Sequence, residues 1–348
     1  MRFFISTLAI FLLTHLPIFS DESEYIQFIK KYQTAHIMEP GKVEITLTAG
    51  AMNSTLDIFN FKSKIATSEN IDINQFGNFG DWQTFNTQIN IGLSKRVMAR
   101  FQFGFDLLEI GQSEAEIQNY GLEIKTKLID ESKSLPTVSL SLKYDTHIAN
   151  NIKGKIHSLS FELDSEISVT RNFDPPETLT VGGLNDQNFS IGLNFGKIIS
   201  ENLMLYSFQK YINTRVSSEF STTLNIAQFQ KLKNDFAYKA NVYSSGFGLY
   251  YRINESWLIT SEYQFYYFRR EFDENSFAGS DEKTAHVFDV ALNYFPSENI
   301  GLTVGGLIDS SFLAGEIPLT FNKKSASKFD NPYGVLYLSL TFGFDIKK

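Results

Sequence analysis

From Lys42 onward the chain repeatedly alternates apolar and polar residues with a period of two. It holds that alternation for about 10–14 residues at a time. Val97, Ala99, Phe101, Phe103, Phe105 and Leu107 alternate with Met98, Arg100, Gln102, Gly104 and Asp106. Leu336, Leu338, Leu340, Phe342 and Phe344 alternate with Tyr337, Ser339, Thr341, Gly343 and Asp345. Period two places successive side chains on opposite faces of a strand, so each strand meets two different environments. Alternation alone fits both a soluble sandwich and a membrane barrel, because each buries one face. Length separates them. Globular strands run about 5–6 residues, whereas about 9–11 tilted residues cross a bilayer. The second face is polar and glycine-rich and carries both charge signs, unlike the uniform Lys/Glu of a solvated surface.

Composition excludes several classes. The 348 residues contain no cysteine, so a disulfide scaffold, a Cys-ligated metal site and lipoprotein acylation are out. Aromatic residues make up 15%, too many for a disordered chain. A net charge of −8 argues against nucleic acid as a partner. Met1-Arg2, the mostly apolar Phe3–Phe19 and the small Ser20 before Asp21-Glu22 read as a secretory signal over 1–20. No later run of 18 apolar residues follows, so no helical span is expected. Residues 21–41 are expected to form a periplasmic segment with a short helix. There Tyr25, Phe28, Ile29 and Tyr32 share one face, either packed under the fold or acting as a plug or docking segment. The remaining 42–348 form the strand domain.

The connections supply a topology. Ser94–Arg96, Ile199–Asn202, Ile253–Ser256 and Pro296–Asn299 each join two long alternating runs and read as tight hairpins. The connections 53–81, 217–235, 273–282 and 313–331 are long and polar. Counting strands up and down between these two kinds of connection gives about 14, with 12 or 16 also compatible. The count treats 156–170 and 171–186 as two spanning strands, the second entered through a turn at Phe173-Asp174-Pro175-Pro176. An even number closes an antiparallel sheet and leaves no edge in lipid.

The strand–turn–strand units Gly248-Leu249-Tyr250-Tyr251-Arg252-Ile253-Asn254-Glu255-Ser256-Trp257-Leu258-Ile259 and Leu292-Asn293-Tyr294-Phe295-Pro296-Ser297-Glu298-Asn299-Ile300-Gly301-Leu302 resemble those of bacterial outer-membrane β-barrel proteins. The resemblance is one of pattern over about 42–346. Its last strand, Gly334 to Phe344, is similar to the C-terminal assembly signal of that class. The resemblance implies an all-β antiparallel transmembrane barrel in a Gram-negative outer membrane. Its expected partners are outer-membrane lipid, the barrel-assembly machinery through the last strand, and small solutes. The implied function is passive passage of small solutes through a polar, charged lumen. The alternative is a non-conducting surface protein that binds a partner through its long loops.

If the apolar faces meet lipid, the polar faces line a lumen. The candidate lining residues are Arg100, Asp106, Glu123, Lys125, Lys127, Lys143, Asp145, Glu162, Asp164, Glu166, Glu262, Asp289 and Asp309, joined by Glu44, Gln264 and Asp345. Acids outnumber bases among them, which predicts a weak cation preference. Trp82, Tyr250, Tyr251, Trp257, Tyr294, Phe295 and Phe344 lie toward strand ends and are expected at the membrane interfaces. No enzyme, cofactor or metal is expected. His157-Ser158 lacks the spacing of a nucleophile pair. Glu162, Asp164 and Glu166 alternate as strands in charged lumens commonly do. His147 and His157 fall on opposite faces by register.

Overall fold

The computed structural model describes residues 35–52, 79–110, 113–164, 167–223, 237–272, 283–297, 299–310, 318–320 and 333–346. The expected signal 1–20, the helix at 24–32 and most of the long connections lie outside them.

The strands are β1 (Lys42–Met52), β2 (Phe79–Ser94), β3 (Val97–Ile110), β4 (Ser113–Ile129), β5 (Thr137–Ala149), β6 (Ile152–Asp164), β7 (Ile167–Ser200), β8 (Leu203–Thr222), β9 (Tyr238–Arg252), β10 (Trp257–Phe272), β11 (Thr284–Ser297), β12 (Ile300–Asp309) and β13 (Tyr333–Asp345). All neighbouring pairs are antiparallel. β1 pairs with β13, from Lys42↔Asp345 to Ala51↔Leu336. β5 pairs with β7, from Thr137↔Gly196 to Ile148↔Asn185. Those two pairings close the sheet into a ring of twelve strands, β1–β5 and β7–β13. Closure satisfies the backbone donors and acceptors that an open edge would leave unpaired in lipid.

The ring of 12 is one of the counts the sequence allowed, and its difference from 14 lies in one place. β6 does not run back across the membrane. It continues β5 in the same direction along β7, and Ile152↔Val181 keeps the register of Ile148↔Asn185. β5 and β6 thus form one long ascending edge, and the 34-residue β7 is one long descending strand. The upper part is a hairpin extension beyond the ring. The Phe173–Pro176 segment is not a turn. The ladder jumps from Ile156↔Glu177 to Ser158↔Asn172, so these residues bulge out of it. A bulge is where prolines, which lack an N–H, are tolerated in a sheet.

The tight turns have local causes. Asn254 Oδ1 accepts from Ser256 N (2.9 Å) and Trp257 N (3.0 Å), an Asx turn that reverses the chain between β9 and β10. Ser94 Oγ accepts from Arg96 N (3.2 Å) in the β2–β3 turn.

The two faces divide as the alternation requires. Phe101, Phe103, Phe105, Leu336, Leu338 and Leu340 stand exposed on the outside, each about 40–50% accessible. Arg100, Asp106, Asn119, Glu123, Lys125, Asn188, Asn194 and Asn293 are buried inside. This is inside-out relative to a soluble protein, and only a hydrocarbon solvent makes it stable. Glycines on the inner face make room for rings. A Cβ at Gly248 would lie 2.4 Å from the Tyr206 ring, and one at Gly305 would lie 2.2 Å from the Tyr337 ring.

Candidate functional site

The interior is the candidate site. At its middle, Arg100 (β3) and Glu123 (β4) are cross-strand partners whose side chains form a buried ion pair. Arg100 Nε also donates to Asn90 Oδ1 (2.8 Å), and Asn90 Nδ2 donates to Glu44 Oε1 (3.0 Å). The Glu123 carboxylate also lies in the field of Lys125, Lys210 and Lys143. On β5, Lys143 pairs with Asp145 at 3.0 Å. Positive charge therefore gathers on the β3–β5 and β8 wall. The opposite wall carries acids held by tyrosines. Tyr206 Oη donates to Glu262 (2.6 Å), and Tyr337 Oη donates to Asp289 (2.8 Å).

Toward the long connections the lining turns apolar. Trp82, Tyr238, Tyr266, Phe268 and Leu319 belong to one buried cluster. Leu319 sits on a single 3₁₀ turn, Pro318–Thr320, that folds into the mouth. Tyr238 Oη donates to Pro318 O (2.6 Å), and Leu319 N donates to Asp186 Oδ2 (3.1 Å). Asp186 is fully buried and also accepts from Asn188 Nδ2 (2.7 Å) and bonds His147 Nδ1 (2.8 Å). The His147–Asp186 pair is therefore an anchor for the inturned loop. Among the described residues no group of three metal-capable side chains comes together.

At the end bearing the tight turns, Ala35–Met38 are buried. Gly92 is what admits this strap, since a Cβ there would meet the Glu39 carbonyl at 1.9 Å. Gly41, at φ +81°, turns the strap into β1, and its N–H donates to Gly92 O (2.9 Å). His36 lies 3.5 Å from Glu131, in the β4–β5 connection. That connection wraps the end of β7. The Lys197 ammonium donates to the carbonyls of Ser132 (2.8 Å) and Leu135 (3.0 Å), and Ile198 N donates to Glu131 Oε1 (2.9 Å). At the rim, a hydrogen bond from Lys127, aided by the charge of Arg96, holds the Asp130 carboxyl below the usual carboxylate range.

Two cavities occupy the interior. One, of about 440 Å³, lies toward the long connections; the other, of about 410 Å³, lies toward the tight turns. Both are lined by Thr48, Thr84, Asn86, Leu307 and Tyr337, so they abut. Asp106, Lys143 and Asp145 line the first, while Glu44, Glu262 and Asp289 line the second. Asp309 is buried near the long-connection end, Lys127 is at the rim and Asp345 is exposed. Glu162 and Asp164 fall on β6, in the hairpin extension rather than the ring. Glu166 lies outside the described residues.

The aromatic assignments need correction. Tyr251, Trp257 and Phe344 are exposed on the outer face, and Tyr294 packs against Trp257 in a tilted arrangement with centroids 4.7 Å apart. Trp82, Tyr250 and Phe295 turn inward instead. Trp82 donates to Asp106 (3.2 Å), Tyr250 packs on Tyr206 (5.1 Å), and Phe295 lines the second cavity. Adjacent aromatics cannot share a face of a strand, so parity would have separated Tyr250 from Tyr251. Parity also places Lys210 beside Phe208 and Ile212 on the inner face of β8. Asp186 was hidden at the end of the assumed strand at 171–186.

A closed ring with a lipid-compatible exterior and a polar interior decides the architecture. The chain has the fold of a transmembrane β-barrel. No protein-family model matches it, and no curated protein sequence is similar to it. Solved structures of similar fold include an outer-membrane channel from Pseudomonas putida F1. That match has 10% identity and TM-score 0.48, and covers 94% of this chain and all of that one. The toluene transporter TodX of Pseudomonas putida is another, at 8% identity and TM-score 0.44, covering 96% and 97%. A third is the NanC porin, at 8% identity and TM-score 0.46, covering 86% and 98%.

Proposed function

We propose that this barrel is an outer-membrane channel for passive passage of small solutes, with the long connections facing outward. The observation that carries the reading is the pair of abutting cavities running through a polar, charged interior. Both ends are narrowed by the chain itself, through the Pro318–Thr320 turn at one and the Ala35–Glu39 strap at the other. Glu44, Glu262 and Asp289 supply the charge along the tight-turn cavity, where no Lys, Arg or His is among the described lining residues. Fixed negative charge favours cations.

The test is conductance of the protein, purified from membranes, in a planar bilayer under a potassium chloride gradient. Discrete steps with a reversal potential of cation-selective sign are expected, and a silent folded barrel would overturn the channel reading. Gly92→Leu should raise the unit conductance about twofold or more, because the strap loses its seat and the narrowing at that end opens. An unchanged step size would show that the strap does not limit flow.

The second reading is a non-conducting surface protein. It draws support from the β6–β7 hairpin, which extends past the ring as a protein-binding arm would. Silence in the bilayer with a folded barrel would favour it.

A further inference from the structure

The cavity toward the long connections is amphipathic in cross-section. Tyr238, Tyr266, Phe268, Leu307 and Val335 come from β9, β10, β12 and β13, which follow one another around the ring save for β11. Trp82 of β2 extends this apolar side. Facing it, β5, β7 and β8 are consecutive in the ring and contribute Lys143, Asp145, Asn188 and Lys210. A volume of about 440 Å³ falls within the ~300–1,000 Å³ of small-molecule sites.

The polar side favours a negative head group. Lys143 and Lys210 stand there with Asp145; Asp106 lines the cavity from β3, and Arg270 lines it from β10, over the Phe268 ring (4.2 Å). Both carboxylates are already engaged. Asp145 accepts from Asn188 (3.0 Å) and pairs with Lys143, and Asp106 accepts from Trp82 (3.2 Å) and Asn119 (3.2 Å). A lysine ammonium has three N–H donors, so Lys143 keeps donors beyond the one facing Asp145.

We propose that this cavity binds an amphipathic organic anion, with its aromatic or aliphatic body against the Trp82–Phe268 side and its acid group at Lys143 and Lys210. The inference rests on the passage reading for how the solute arrives. It goes beyond that reading in naming the solute class and the site that selects it. The acidic second cavity would then slow the anion's onward movement, so the first cavity holds it.

The chain has two tryptophans, so Trp257→Phe leaves Trp82 in the cavity wall as sole reporter. The probe is 3-(4-bromophenyl)propanoate, whose bromine quenches a neighbouring indole, added to that protein in lipid nanodiscs. Its propylammonium and propanol analogues are compared. Saturable quenching by the acid, tighter than by either analogue, is expected. Equal or tighter binding of the ammonium analogue would overturn the proposal, and that comparison needs no further variant. Lys143→Met and Lys210→Met should each weaken the acid roughly tenfold and leave the alcohol unchanged, as loss of a charge-assisted hydrogen bond requires. Lys143→Arg should retain the acid. An acid affinity indifferent to both lysines would also overturn the site. Quenching in a barrel that carries no current would keep the site and fail the channel reading; current without quenching would do the reverse.

Discussion

Glu123→Ala is expected to destabilise the barrel by about 3–5 kcal/mol, the usual result of removing one partner from a buried charge pair. Glu123 is buried, ion-paired to Arg100 across the β3–β4 ladder, and set among Lys125, Lys210 and Lys143. Deleting it leaves four cations on one wall with much of their compensation gone. Arg100 would keep its bond to Asn90 but lose its counter-charge. The lumen offers water access that a dry core lacks, so the penalty belongs at the lower end of that range if water reaches Arg100. Urea unfolding of the barrel refolded into short-chain phosphatidylcholine vesicles reads the effect. Lys125→Met in the same background should recover part of the loss by removing one of the repelling charges. A Glu123→Ala barrel within about 1 kcal/mol of the parent would mean that the cluster is solvated rather than mutually compensated.

The second large effect tests which face meets lipid. Leu338 lies mid-strand on β13, paired with Ala49 on one side and Val304 on the other, and stands exposed on the outer face. Leu338→Arg should cost about 2–4 kcal/mol, because the guanidinium has no route to either interface without deforming the bilayer. Phe344, on the same face, pairs with Val43 near the tight-turn end of the strand. Phe344→Arg should cost only about 0–1 kcal/mol, since the side chain can reach head groups there. The same unfolding measurement compares the two. Equal costs would remove the depth dependence that a surrounding bilayer imposes, and with it the assignment of this face to lipid.

Much of the fold was legible in the alternation. Arg100 and Asp106 fall inside and Phe101, Phe103 and Phe105 fall outside because the pleat sends neighbours to opposite faces whatever the tertiary context. The tight turns at Ser94–Arg96 and Ile253–Ser256 could be read from Ser and Asn, whose side chains bond the backbone two residues on. Strand boundaries followed from the same two signals.

What the sequence could not carry is long-range register. Residues 156–170 read as one more spanning strand, and the up-and-down count then demands another at 171–186. Only the pairing of β5 with the lower half of β7 shows that β6 extends β5 instead. A ladder partner is chosen by tertiary geometry, which a period of two does not encode. The inturned pieces were equally hidden. Nothing local says that Leu319 will meet Asp186, 133 residues away, or that Gly92 is bare so that Glu39 can lie against it. The alternation determined that this chain makes long two-faced strands, because each residue's environment is set by its neighbour one step along. The ring size, the strap, the inturned loop and the amphipathic cavity were decided by which distant strands and segments meet, because those contacts exist only once the sheet has closed.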